Sequence, residues 1–196
     1  LMVVAKTVMA QTDLVRQLQA RTVKRRYIAV VQGELDAFGT IDAGIGRSPQ
    51  DRLKMAVLVG QSGKPARTHY QSMGYWKFQQ KPYSIAVCQL ESGRTHQIRV
   101  HMQHKGFPLV GDPVYGEKRG ARRSIGSIAK TIVGEQAFDR QALHAYQLGL
   151  IHPRTGEYMS WQCELPEDMV ALLAHMGVNE LPLPDADMEM EALLAQ

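Results

Sequence analysis

Two cysteines in 196 residues, Cys88 and Cys163, are too few for a disulfide framework. Both lie in apolar, strand-like runs, so reduced, buried thiols in a cytoplasmic protein are expected. No run of about eighteen apolar residues is present to span a membrane. The opening L-M-V-V-A-K-T is too short and too soon charged for a signal peptide, and it suits a strand. Metal chemistry lacks its ligands, because His101 and His104 stand without a nearby cysteine or a third well-placed partner. Nucleotide chemistry lacks its loop. G-Q-S-G-K from Gly60 has the wrong spacing, and Pro65 stands where a magnesium-binding Ser or Thr belongs. No G-x-S-x-G, no G-x-G-x-x-G and no internal repeat occurs. No cofactor or metal is implied.

The chain does have the length and the 44% hydrophobic content of one globular domain with a real core. Its net charge of +4 hides an asymmetry. Five of the acids fall after residue 176, where there is no Lys or Arg. Residues 1–176 therefore carry 23 bases against 14 acids, or +9. A domain that basic favours a polyanionic partner, since phosphate contacts supply most non-specific nucleic-acid binding. Residues 177–196 read as an acidic tail.

Patterning predicts a helix capped by Thr12 and running to about Arg21, then a strand over Tyr27–Val31 approached by a crowd of bases, Arg21 and Lys24–Arg26. A short strand over 39–46, a basic loop over 47–54 and a strand over 55–59 follow. Further strands are expected over 66–73 and 84–90, a hairpin over 143–150 and 158–164, and a closing helix over 168–176. The stretch 117–137 reads as a polar insert. Many strands with few helices and no βαβ alternation argue for an α+β fold with a mostly antiparallel mixed sheet.

One segment stands out. Glu91–Met102 reads E-S-G-R-T-H-Q-I-R-V-H-M, packing Arg94, His96, Arg99 and His101 behind a Ser-Gly turn. Ile98 and Met102 are spaced for a helix whose first turn holds Gly93, Arg94 and Thr95. A strand, a glycine turn and a helix opening on bases make a receiver for an anion. A solvated helix with a basic face is the alternative. The apolar, Gly- and Pro-rich run His104–Gly116 downstream reads as an ordered loop.

G-R-T-H-Q-I-R-V-H-M followed by P-L-V-G-D-P-V-Y-G resembles a motif region of the RluA family of RNA pseudouridine synthases. L-M-V-V-A-K-T at Leu1, R-R-Y-I-A-V-V-Q-G at Arg25, G-K-P-A-R-T-H-Y at Gly63 and R-Q-A-L-H-A-Y-Q-L at Arg140 match in order. The resemblance spans about residues 1–176 and is nearest the D type, the subgroup acting on large-subunit ribosomal RNA. It implies a long antiparallel sheet with a central cleft and flanking helices, and isomerisation of uridine to pseudouridine without a cofactor. It also implies that a His-Arg-Leu-Asp motif carrying the catalytic Asp precedes the segment that begins here at Leu1. The chain is thus expected to be the C-terminal part of a catalytic domain, inactive alone, because Asp13, Asp112 and Asp139 do not match that motif.

By the same resemblance Arg99 is the partner of the absent carboxylate and is expected as an orphan cation facing the cleft. Tyr27 is expected to stack on the target base; a core strand tyrosine is the plainer reading. Arg47, Arg52 and Lys54 on the basic loop are candidates to grip phosphate, with Arg94, His96, Lys105, Arg140 and His144 behind them. His144 equally suits a structural role. A non-catalytic RNA-binding module of the same fold is the competing function, and an RNase using His96 and His101 a remoter one. The expected partner is RNA, bound by a monomer away from membranes.

Overall fold

Strand β1 (Lys24–Gln32) is apolar on both sides, and the architecture follows from that. In the computed structural model, which describes residues 1–58, 60–116 and 138–181, β1 lies inside a six-stranded antiparallel sheet. The remaining elements are α1 (Val8–Gln19), β2 (Phe38–Asp42), β3 (Ile45–Arg47), β4 (Met55–Val57), β5 (Arg67–Phe78), β6 (Lys81–Leu90), α2 (Gln97–Lys105), β7 (Leu143–Ile151), β8 (Tyr158–Gln162) and α3 (Glu167–His175). The sheet order is β2-β5-β6-β1-β7-β8, and β3 and β4 form a separate hairpin. The expected α+β class with a mostly antiparallel sheet is what the chain adopts.

Alternation along β1 builds two cores. Ile28 and Val30 join Tyr83, Ile85, Val87 and Tyr146 under Met169, Leu172 and Leu173 of α3. Ala29 and Val31 join Tyr70, Ala86 and Cys88 under Ile98 and Met102 of α2, with Tyr27 packed at the margin. Val178 and Leu181, assigned above to the acidic tail, still pack on the α3 side. Residues 182–196 and the polar insert 117–137 lie outside the described residues. Cys88 and Cys163 are unpaired, Cys88 buried and Cys163 partly so. Among the described residues no helix is long and apolar enough to cross a membrane, and no cluster of three metal-ligating side chains occurs.

Several element boundaries differ from the pattern-based reading. Helix α1 is capped by Thr7, whose hydroxyl accepts from the Ala10 amide at 3.2 Å. Thr12 sits inside the helix and donates back to the Val8 carbonyl. The expected strand 39–46 is two strands, broken at Ala43–Gly44, where Gly44 lies against the backbone of Gly63. Strand β5 runs on to Phe78 and turns into β6 through Gln79 and Gln80, with φ of 48° and 62°. That is the backbone of a tight hairpin turn, which Asn-Gly would have signalled and Gln-Gln does not.

Gly39 shows how closely the sheet edge is fitted. It pairs with Tyr70, and a Cβ there would fall inside contact distance of the Tyr70 ring. Gly39→Ala should lower the unfolding free energy by about 1–3 kcal/mol in urea denaturation, through overpacking. In a Tyr70→Leu background most of that penalty should vanish; an equal penalty in both backgrounds would place its cause elsewhere.

Candidate active site

The Ser92–His96 turn is pinned by one buried amide. The Gln97 Oε1 accepts from the Arg94 amide and the Ser92 hydroxyl, both at 2.9 Å. Its Nε2 donates to the Arg67 carbonyl and the Thr68 hydroxyl. This anchorage takes Gly93, Arg94 and Thr95 out of the helix. Helix α2 starts at Gln97, with His96 as its N-cap in the left-handed region at φ 56°. A non-glycine residue held there marks a turn defined by its surroundings.

Arg99 is not the orphan cation expected from the resemblance. Its Nε and Nη2 donate to Asp112 Oδ2 and Oδ1 at 2.8 and 2.7 Å, a two-pronged ion pair withdrawn from water. Asp112 Oδ1 also accepts from the Val114 and Tyr115 amides. Burial pushes the Asp112 carboxyl up, but the Arg99 bond and the two amides more than reverse it, so it stays below the usual range. The Asp112 hydrogen bond raises the Arg99 pKa in turn. The Arg99 guanidinium lies 4.8 Å from the centroid of Tyr115. Tyr115 Oη is 2.9 Å from His96 Nδ1 and accepts from the Met55 amide. Burial, helped by the Arg99 charge, lowers the His96 pKa. His101 is fully buried between the Thr68 hydroxyl and the Ala43 carbonyl, and burial likewise lowers its pKa.

Tyr27 lies on the α2 side of the sheet. Burial raises its phenol pKa, and the nearby Arg25 charge works the other way. Across β7 its partner is Ala145, whose carbonyl accepts from the Leu1 amine.

The basic candidates divide. Arg47 and Arg94 line one cavity of about 460 Å³ with Lys64, Ser62 and Thr95. Arg47 donates to the Arg52 carbonyl and Arg94 to the Pro65 carbonyl, and among the described residues no carboxylate pairs with either. Arg52 is exposed, and Lys54 is 4.0 Å from Asp51 on the same loop. His96 stands beside Tyr115 as described. Lys105 is taken up by Asp36 at 3.1 Å and lies over Tyr70. Arg140 makes a two-pronged pair with Asp168 of α3, and His144 contacts Cys163. His144 pairs across the sheet with Ile28 of the α3 core, and Arg140 is held by α3 itself, so these two belong with the α3 face and not with the cavity. Sequence reasoning singled out neither Lys64, which it met in a failed phosphate loop and in a motif run, nor Arg25, which it counted in a basic crowd.

The family model for RNA pseudouridylate synthase matches residues 1–104. The chain is similar to ribosomal large subunit pseudouridine synthase D of Nitrosomonas europaea, 49% identical over 182 residues, covering 93% of this chain and 48% of that protein. For the protein of the same name in Escherichia coli K12 the identity is 49%, over 91% of this chain and 52% of that one. For that in Pseudomonas aeruginosa it is 50%, over 89% and 52%. The chain thus spans about half the length of the curated relatives it matches. Among solved structures, human RNA pseudouridylate synthase domain containing 1 superposes with a TM-score of 0.69 at 27% identity, over 98% of this chain and 74% of that one.

The Arg99–Asp112 pair carries a stability consequence. Arg99→Ala should cost about 3–5 kcal/mol in urea unfolding, because it strands a buried carboxylate. Since the folded Asp112 titrates below its ordinary value of 3.8, its contribution is complete above that pH and fades as pH falls through the lower folded value. Asp112→Asn should therefore remove part of the acid-induced loss of stability. An unchanged acid limb in Asp112→Asn would contradict the pairing.

Proposed function

We propose a function from this premise: the chain belongs to the RNA pseudouridylate synthase family. The reading is that it supplies the greater part of the catalytic cleft of a synthase that isomerises uridine to pseudouridine in large-subunit ribosomal RNA. What carries it is the near-half identity to proteins named for that activity, in a chain that sets Tyr27 and Arg99 on the α2 side of the sheet. The reaction detaches a uracil from its ribose and rejoins it through carbon, so the base must leave its stack and be held in a pocket. Tyr27 is the flat surface for that base. Arg99 spends Nε and Nη2 on Asp112, and its Nη1 has no hydrogen-bond partner among the described residues. That edge is free to hold a second carboxylate ionised, and Asp112 is the residue that orients it. Leu1 is tied to the cross-strand neighbour of Tyr27. In a longer chain carrying His-Arg-Leu-Asp, a residue just upstream is therefore delivered close to Tyr27.

The cavity with Arg47, Lys64 and Arg94 suits the RNA backbone. A second reading, an RNA-binding module without chemistry, needs only the excess of nine positive charges over residues 1–176 and the cavity of Arg47, Lys64 and Arg94. Tritium release from C5-labelled uridine in ribosomal RNA separates the two. The 196-residue chain should release none, and a version extended upstream through that motif should release it. In the extended version Arg99→Ala and Arg99→Lys should each cost at least about 10²-fold in rate, and Arg94→Ala far less. Equal losses would refute the assignment of Arg99, and release by the 196-residue chain would refute the need for an upstream carboxylate.

RNA binding itself should not need that motif. With about five phosphates engaged, affinity should fall roughly 10²–10³-fold between 50 and 200 mM salt. Replacing Arg47, Arg52 and Lys54 together should flatten that slope in a fluorescence anisotropy titration. A salt-indifferent affinity would remove the electrostatic basis of the proposal.

A further inference from the structure

The structure does contain a stranded cation, and it is Arg25. Arg25 lies on β1 two residues before Tyr27, so the two share a face of the strand. Its guanidinium reaches toward the turn before α2. Gly93 leaves room for it: a Cβ at that glycine would stand 2.6 Å from Arg25 Nη1. Arg25 Nε is buried without a hydrogen-bond partner, and Nη2 has one long contact, 3.4 Å to the Glu91 carbonyl. No carboxylate pairs with it among the described residues. Burial works against its charge, and only the Tyr27 phenol opposes that effect.

The groove around it is one-sided in charge. It lies between α1 and the Glu91–Arg94 turn, has a volume of about 390 Å³, and is lined by Arg21, Arg25 and Arg94 against the single carboxylate of Glu91. That carboxylate is already engaged by Arg21, Arg67 and His69 at 2.8, 3.3 and 2.7 Å. Gln19 and Ser92 add neutral polar groups, and Val15 and Leu18 of α1 form an apolar wall. Gly93 and Arg94 also line the cavity of Arg47 and Lys64, so the two hollows meet at the same turn. A half-buried guanidinium without a counter-ion, its Nε shut away from water and unpartnered, beside two further arginines, is an arrangement a tetrahedral oxyanion completes.

We propose that this groove is a phosphate subsite for the RNA strand, with Arg25 as its floor and Arg21 and Arg94 as its sides. It extends the phosphate track from the Arg47–Lys64 cavity past Arg94 to the neighbourhood of Tyr27. The proposal rests on the RNA-binding reading above. It adds a second function to Arg25, whose charge offsets the effect of burial on the Tyr27 phenol.

The test uses the 196-residue chain and a single-stranded uridine-containing RNA oligomer, read by fluorescence anisotropy across salt. Arg25→Gln should reduce the slope of log affinity against log salt by about 0.7, the loss of one single-strand phosphate contact. Arg25→Lys should keep most of the slope. Arg154→Gln, which removes the same charge from the exposed β7–β8 turn, should leave it unchanged. The melting temperature of Arg25→Gln should stay level or rise, since a half-buried charge without a counter-ion is removed. A fall in melting temperature would make Arg25 a structural residue and overturn the proposal. An unaltered slope in Arg25→Gln, with the Arg47/Arg52/Lys54 variant still flattened, would overturn the subsite and leave the RNA reading standing. No salt-dependent RNA binding by the unsubstituted chain would overturn both. Inorganic phosphate at constant ionic strength provides the last arm. If it raises the melting temperature of the unsubstituted chain but not of Arg25→Gln, while the RNA slope is indifferent to Arg25, the site takes free phosphate and the strand assignment fails.

Discussion

A guanidinium and a carboxylate, both taken out of water, hold the signature helix to the loop that follows it. Arg99 belongs to α2 and Asp112 to the loop after it, and Asp112 also gathers the Val114 and Tyr115 amides. Tyr115 then carries the constraint onward. Its ring supports Arg99, and its hydroxyl meets His96 and the Met55 amide of β4. Helix start, loop and basic hairpin are therefore set by one polar cluster, with burial and pairing each requiring the other. Either partner alone would be an unpaired buried charge. Together they are a rigid mount with one guanidinium nitrogen left over.

That mount stands on a strand that has no solvent side. β1 offers Ile28 and Val30 to the α3 core and Ala29 and Val31 to the α2 core. Its polar residues are thus confined to its ends, and Lys24–Tyr27 is the end that reaches the Glu91–Arg94 turn. The bulge against β7 falls between Arg26 and Tyr27, where the backbone departs from regular register. Arg26 is nearly fully buried and donates to Gln89 on β6, whereas Arg25, one residue earlier, has only the long contact to the Glu91 carbonyl. Adjacent arginines of one strand end thus take opposite parts, because the pleat sends them to opposite faces.

The fold was legible where pattern and burial agree. The strands around Tyr27–Val31 and Ser84–Leu90 and the closing helix follow from apolar periodicity, and the structure places all three within a residue or a few of their expected bounds. Legibility failed where the deciding contact is distant in sequence or carries no residue-type signature. Gln97 prolongs the turn and delays the helix start by reaching Arg67 and Thr68 some thirty residues back, which no local reading contains. Gln79–Gln80 form a left-handed turn with residues that do not favour it. The pairing of Arg99 with Asp112 was missed for a different reason. A motif assigns Arg99 a partner outside the chain, and that expectation hid an aspartate thirteen residues along inside a neighbouring motif.

Charge was the least legible property, because composition counts bases and a site depends on which remain uncompensated. Arg140, Lys105 and Arg99 all entered the sequence reading as available cations, and each faces a carboxylate in the structure. Among the described residues Arg47 and Arg94 face carbonyls and no carboxylate, and Arg25 faces a carbonyl at the limit of bonding distance. The basic character that favours a polyanion is thus concentrated near the Gly93–Arg94 turn, where two hollows meet. An excess of nine positive charges over residues 1–176 is compatible with many surfaces. Uncompensated arginines gathered around one glycine turn, one of them with a buried and unpaired nitrogen, specify where an anion would gain most by binding.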